Sequence, residues 1–262
     1  YQQTERVYPT EGDLKNVRTL ITYIKNRMLN EKEIQKLEEE AEIHLAAIYK
    51  EYCRQLREQQ LMDYDDQMVY AYNMLRKIPE LLAYFQEKYP YICVDEAQDT
   101  SKIQHAIIAL LASKSENLFM VGDEDQSIYG FRAAYPEALL TFLKNYPDAK
   151  VLLMEENFRS DARIVLAADR FIQKNTLRHE KHMKAARKPA SDIREISLRS
   201  RKAQYTYLAK LAEGCTSQTA ILYRDNECIL PLVDLLERNG IPYQMRNAEL
   251  SFFSHRTILD II

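Results

Sequence analysis

Glycine is scarce in this sequence. The 262 residues contain five, and none marks a repeat. Cysteine is scarcer: Cys53, Cys93, Cys215 and Cys228 form no CxxC pair and no Cys/His set with zinc spacing. That excludes a zinc finger and fits a reduced, cytoplasmic protein. Cys93 lies in an apolar run and reads as a small buried hydrophobe. No apolar run approaches the roughly 20 residues that span a bilayer, so no membrane partner is expected. A signal-peptide pattern is also missing, and the chain opens on Tyr1 in the polar stretch "YQQTERVYPT". The formal net charge of −3 argues against coating nucleic acid by bulk charge and leaves room for a local groove. What remains is a globular composition, 46% hydrophobic and 29% charged, in a length that allows one large domain or two to three smaller ones.

Residues 11–60 read as helical. After "NEKE", Ile34, Leu37, Ala41, Leu45, Ile48, Tyr52 and Leu56 recur in steps of three and four and mark one packed face. In "LMDYDDQMVYAYNMLRK", Asp63 is a candidate N-cap, and Asp65 and Asp66 fall in the first turn, where the helix dipole favours anions. Tyr64, Met68, Tyr72 and Leu75 continue the packed face.

From residue 91 the pattern changes. Apolar runs "YICV" (91–94), "LFMV" (118–121), "KVLLM" (150–154), "REISL" (194–198), "AILY" (220–223) and "PYQM" (242–245) read as strands. They alternate with helical stretches near 101–113, 136–145, 161–173, 203–213 and 227–238. Alternation of this kind predicts an α/β fold around mostly parallel sheets. The segment "NTLRHEKHMKAARKPASD" has no clean period and reads as a loop. The stretch 159–188 around it is basic, with nine Lys and Arg against three Asp and Glu, a formal charge of +6.

Three of the predicted strands end in chemistry. "YICV" runs into Asp95 and Glu96, "LFMV" into "GDEDQSIYGFR", and "KVLLM" into "EENFRS". Ligands of open α/β sheets bind at the carboxyl ends of strands, so three polar clusters at such ends predict one site. An Asp closing a hydrophobic strand suits Mg²⁺ on a nucleoside triphosphate, and an adjacent Glu suits activation of a water. Gln126 can bond a water or a phosphate oxygen without adding charge. Arg159 brings a permanent planar cation from a separate strand unit, in the manner of an arginine finger. Tyr129, Phe131 and Arg132 follow Gln126 on a stretch without periodicity and suit stacking on unpaired bases.

"VDEAQDT", "VGDEDQSIYGFR" and "EENFRS" resemble motifs II, III and IV of the UvrD/Rep/PcrA family of superfamily 1 DNA helicases, in that order and spacing. "LMDYDDQM" and "TAILYRDNECILPLVDLLERNGIPYQM" resemble flanking segments of the same family, and the likeness runs from about residue 13 to the end. The resemblance implies parts of two RecA-like P-loop NTPase motor domains preceded by a helical accessory segment. Residues 1–60 would be a remnant of the accessory domain. Residues 61–148 would be the C-terminal part of the first motor domain, and 149–262 the N-terminal part of the second. It implies ATP and Mg²⁺ as cofactors, with single-stranded DNA and duplex junctions as partners. By the same resemblance Asp95 holds Mg²⁺, Glu96 activates the attacking water, Gln126 senses the γ-phosphate and Arg159 contacts it. Phe158 stands where the family usually has a Tyr stacking on adenine, and Phe131 where it often has a base-stacking Trp. Tyr64, Tyr129, Arg132, Arg224 and Asn226 fall at or beside positions that resemble other DNA contacts.

The family also needs a GxxxxGK[ST] loop whose amides and Lys cradle the phosphates. Gly12, Gly122, Gly130, Gly214 and Gly240 are none of them followed by Lys. The expectation is therefore an internal piece of a helicase, inactive alone as an ATPase and prone to self-association through uncovered sheet edges. Two alternatives stay open: a piece of a helicase–nuclease subunit of the AddA or RecB type, and a non-catalytic module that binds single-stranded DNA or protein. A degenerate ATPase-like protein that has lost its P-loop is a third.

Overall fold

Several helix starts in this chain are set by short polar side chains that satisfy the first free N–H groups. In the computed structural model, which describes residues 1–128, 130, 133–190 and 192–245 and leaves the side chains of residues 3, 226 and 227 undescribed, capping boxes open several helices. Thr10 and Asp13 open α2 (Glu11–Arg27), which follows the single turn α1 (Gln2–Glu5). Asn30 and Glu33 open α3 (Glu31–Ala41), and Asp63 and Asp66 open α5 (Tyr64–Lys77). Between them lies α4 (Leu45–Glu58). The apolar face expected to run unbroken from Ile34 to Leu56 is thus split over two helices. Glu42 takes a left-handed conformation with φ 54°, ends α3, and turns the chain so that α3 and α4 pack on each other. Ile34 and Leu45 then meet Ile24 of α2 in one core, while Val17, Ile21 and Ile48 form another.

The chain falls into two compact units, Tyr1–Ser191 and Asp192–Ile262. In the first, α5 and α6 (Pro79–Lys88) lead to β1 (Ile92–Val94). A 3₁₀ turn (Ala97–Asp99), α7 (Lys102–Ala112) and β2 (Leu118–Met120) follow. β1 and β2 pair in parallel with Ile92 opposite Leu118, Cys93 opposite Phe119 and Val94 opposite Met120. After a second 3₁₀ turn (Glu124–Gln126) come the short helices α8 (Glu137–Leu140) and α9 (Phe142–Asn145). Then β3 (Glu156–Asn157), α10 (Ala162–Ile172) and β4 (Lys184–Ala185) follow, with β3 and β4 parallel. The second unit holds α11 (Arg201–Glu213) and α12 (Asn226–Arg238), packed through Ala209, Ile229, Leu232, Val233 and Leu236.

The fold is therefore α/β, rich in helix, with two small parallel sheets among the described residues. Four predicted strands, at 150–154, 194–198, 220–223 and 242–245, are not strands among the described residues. An apolar run fixes which surface wants burial, whereas a strand also needs a hydrogen-bonding neighbour. Leu152, Met154 and Leu222 accordingly stand exposed. The segment read as a loop from Asn175 contributes β4 instead.

Cys93 is exposed rather than buried. In β1 and β2 the odd-numbered positions 93 and 119 point away from the packed side, so Cys93 and Phe119 share an uncovered face. Tyr64 likewise leaves the packed face of α5, being 88% exposed at the helix start, while Leu75 is buried.

Candidate functional site

The parallel pairing of β1 and β2 decides where the site sits. Its ladder continues beyond the strands: Val121 N–H donates to the Val94 carbonyl (2.8 Å), and Ala97 N–H to the Val121 carbonyl (3.0 Å). Asp95–Glu96 and Gly122–Gln126 therefore leave the sheet at the same carboxyl edge. Gln98, only 1% exposed, welds the two exits. Its Nε2 donates to Glu96 Oε2 (2.7 Å), and its Oε1 accepts from Asp123 N–H (3.0 Å). Gly122 is required by that closeness. A Cβ there would lie 2.8 Å from Leu139 Cδ1 and 2.9 Å from Gln98 Oε1.

Glu96 occupies the left-handed region with φ 48°, and its N–H donates to Asp95 Oδ1 (2.9 Å). A non-glycine residue held there stores about 1–2 kcal/mol of backbone strain. Asp95 and Glu96 are both exposed. Behind them, Asp99 keeps one buried carboxylate oxygen with no hydrogen-bond partner among the described residues. Among the described residues no group of three or more His, Cys, Asp or Glu is arranged to hold a metal ion. Asp95 thus offers a single carboxylate, which suits a Mg²⁺ ion that keeps waters and takes its other ligands from phosphates.

Gln126 turns toward its own loop, with Nε2 donating to Asp123 Oδ2 (2.8 Å). The acidic run Asp123–Asp125 is gripped from a distant part of the chain. Arg178 forms a fork on Asp125, with Nε donating to Oδ1 (2.9 Å) and Nη2 to Oδ2 (2.8 Å). The two side chains are 5% and 9% exposed. Lys181 Nζ lies 2.6 Å from Asp123, 3.2 Å from Glu124 and 3.3 Å from Asp125. His179 N–H donates to Glu124 (2.8 Å). Burial works against the charge of Lys181, yet the bond to Asp123 and the three carboxylates outweigh it and raise its pKa. Burial likewise pushes Asp123 upward, and the bonds from Lys181 and Gln126 overcome it, leaving Asp123 below the usual carboxylate range.

Arg159 follows β3 on a turn that Asn157 Oδ1 caps by accepting from the Arg159 and Ser160 N–H groups. Its side chain is exposed, and Phe158 beside it is 70% exposed. Among the described residues no hydrogen bond or ion pair joins Arg159 to Asp95 or Glu96. Arg224 is exposed in the second unit, where Asn226 begins α12. Tyr129, Phe131 and Arg132 lie outside the described residues.

Sequence reasoning missed Gln98, Arg178 and Lys181. The signal for the last two was present as an acidic "DED" and a segment "RHEK" of opposite formal charge. It also missed Lys25 of α2, whose side chain is 2% exposed and bridges Asp63 (2.6 Å) and Asp66 (2.7 Å). Tyr52 donates to the same Asp63 (2.8 Å) and is pushed up to about 12 by burial and that bond. Thr22 and Asn26 bind Asp65, so the three aspartates clamp α5 onto α2.

The parallel strands thus set paired acids at one exit beside a Gly-Asp-Glu-Asp-Gln turn at the next. Comparison with known proteins gives the family. A family model described as the UvrD/REP helicase N-terminal domain matches residues 2–147, and the UvrD-like helicase C-terminal domain matches residues 152–262. The chain belongs to the UvrD/Rep helicase family. It is similar to the ATP-dependent DNA helicase PcrA of Staphylococcus epidermidis, with 35% identity over 251 residues, 92% of this chain and 34% of that protein. It is 34% identical to the protein of the same name from Staphylococcus aureus over 251 residues, with the same coverage. The chain spans about a third of the length of the curated relatives it matches. No helix among the described residues is long and apolar enough to cross a membrane.

Proposed function

We propose that this chain supplies the acidic and phosphate-sensing parts of an ATP-driven DNA translocase and helicase, working within a longer protein. Residues 61–148 would belong to a first motor domain and 149–262 to a second, with 1–60 from a helical accessory domain. The observation that carries the proposal is the shared carboxyl edge of β1 and β2, which sets Asp95–Glu96 beside Gly122–Gln126 in a chain of this family.

Glu96 takes a proton from the attacking water, and Gln126 orients that water or a phosphate oxygen. Arg159 meets the charge that develops on the transferring phosphoryl group, and Phe158 stacks on the adenine ring. Asp95 would hold Mg²⁺, whose contribution when bound is neutralisation of phosphate charge. Tyr64, Tyr129, Phe131, Arg132, Arg224 and Asn226 would contact single-stranded DNA by stacking and phosphate bonds. The exposure of Tyr64 and Arg224 supports such a role. Without a GxxxxGK[ST] loop, the 262 residues alone do not turn over ATP.

The test is ATP turnover in a chain of the relatives' length that contains these residues, measured with and without single-stranded DNA. Stimulation by the single strand is expected. Equal turnover with and without it overturns the proposal. A salt-dependent anisotropy change of a labelled single strand, lost on Phe131→Ala, is the parallel binding result.

A further inference from the structure

The run 178–181 has no part in the chemistry above, yet it is bonded to all three acids of the turn that carries Gln126. It continues without interruption into β4. His182 N–H donates to Glu155 Oε1 (3.1 Å), Lys184 N–H to the Glu155 carbonyl (2.7 Å) and Ala186 N–H to the Asn157 carbonyl (3.0 Å). At the far end, Arg187 Nη1 donates to the carbonyl of Arg159 (2.7 Å). One end of the segment 178–187 therefore rests on Asp123–Asp125, and the other on the turn that presents Phe158 and Arg159.

We propose that residues 178–187 form a strap that positions Gln126 and Arg159 together. Arg178 and Lys181 are positioning residues that act through Asp125 and Asp123, and Arg187 acts through the Arg159 backbone. The inference rests on the assignment of Gln126 and Arg159 as phosphate-contacting groups. Three features support it. The fork from Arg178 fixes both oxygens of a nearly buried carboxylate, which leaves Asp125 one orientation. Asp123 is shared, with Oδ1 on Lys181 and Oδ2 on Gln126, so a shift of the strap moves the acceptor that holds Gln126. The β3–β4 pairing makes the middle of the strap a hydrogen-bonded ladder rather than a free loop, so displacement is passed along it. Charge complementarity is local to this contact: a formal −3 in Asp123–Asp125 meets Arg178 and Lys181.

Amide hydrogen exchange on the 262-residue chain tests the strap. Arg187→Ala, which removes one bond at the far end, is expected to speed exchange at residues 123–127. Arg178→Ala is expected to speed exchange at 157–160, and each effect should be about tenfold. Amides of α2 serve as the internal reference for an intact fold. Should Arg178→Ala unfold the chain and raise α2 exchange as well, Arg187→Ala and the charge-reversed pair Arg178→Asp with Asp125→Arg still decide. Restored protection in the pair supports the strap. Exchange that changes only beside each substitution overturns it. A second readout is single-strand-stimulated ATP turnover in a chain of the relatives' length. There Arg187→Ala is expected to lower kcat about tenfold with KM within about twofold, the signature of lost positioning rather than lost binding. An unchanged kcat overturns the proposal. Wild-type protein without any turnover overturns the functional assignment instead, and the exchange result on the strap stands by itself.

Discussion

Gln126 donates to Asp123 at 2.8 Å, and Lys181 holds the other oxygen of the same carboxylate at 2.6 Å. A residue proposed to sense phosphate is thus parked on an acid whose charge is already compensated. To reach a phosphate oxygen, Gln126 gives up a bond while Asp123 stays paired. The exchange is of one hydrogen bond for another, so it costs little, on the order of 1 kcal/mol. A cost of that size is compatible with the proposed engagement and release of a phosphate by Gln126.

The Asp123–Lys181 pair predicts an acid-sensitive loop. Asp123 lies below the usual carboxylate range in the folded chain. A depressed carboxylate contributes stability that is complete above its unfolded value, about 3.9, and is lost as pH falls through the folded value. Exchange at 124–126, corrected for its intrinsic pH dependence, should be flat from neutrality to about pH 5 and rise below about pH 4. Asp123→Asn should weaken the rise and leave the part that Glu124 contributes, since burial pushes Glu124 up but His179 and Lys181 hold it below its usual range too.

Lys25→Met should destabilise the helical part strongly. It leaves Asp63 and Asp66 close together without the cation that bridges them. Removing one partner of a buried ion pair costs about 3–5 kcal/mol. Urea unfolding followed by circular dichroism should show an unfolding free energy lower by that amount, read as a lower midpoint at unchanged slope. The pair also has an alkaline limit. Burial lowers the Lys25 pKa, but Asp63 and Asp66 outweigh it and raise it, so its contribution holds below the unfolded lysine value and fades only as pH rises through the folded one.

Gly122→Val should loosen the weld between the two strand exits. The added atoms meet Leu139 and Gln98, and Gln98 is held by bonds at both ends of its amide. Overpacking of this kind costs about 1–3 kcal/mol. The thermal midpoint should fall. A stability equal to wild type would show that the exits are further apart than described.

The uncovered face of β1 and β2 predicts a reactive thiol. Cys93 and Cys215 are exposed, whereas Cys53 and Cys228 are half-buried. A thiol reagent should label two sites rapidly in the folded chain, and Cys93→Ser should remove one. The same face carries Phe119, so Phe119→Ser should reduce concentration-dependent self-association in size-exclusion chromatography.

Much of the local structure was legible in the sequence. Asp63 caps α5 through Asp66, as a short acid before an apolar pattern implies. β1, β2, α7 and α10 fall where bounded apolar runs and helical periods place them. What failed has a common cause. Residues 150–154 and 220–223 are apolar enough for strands, but a strand exists only with a partner, and no local pattern names the partner. Cys93 was misplaced because an apolar run does not say which sheet face is covered. The strap was missed for a related reason: its charges are visible in the sequence, but Arg178 and Asp125 are 53 residues apart and Lys181 and Asp123 are 58 apart, and no local pattern pairs them. The motifs contain the residues at the strand exits and Gln98 between them, while Arg178 and Lys181, which grip the acidic turn after β2, lie outside the motifs.

The most direct measurement compares ATP binding with ATP hydrolysis in the Glu96→Gln form of a chain of the relatives' length. If Glu96 activates the water, nucleotide affinity should stay within about twofold while single-strand-stimulated turnover falls by about 10²–10⁴. Turnover at the wild-type rate in Glu96→Gln would contradict the assignment of the β1 exit as the catalytic edge.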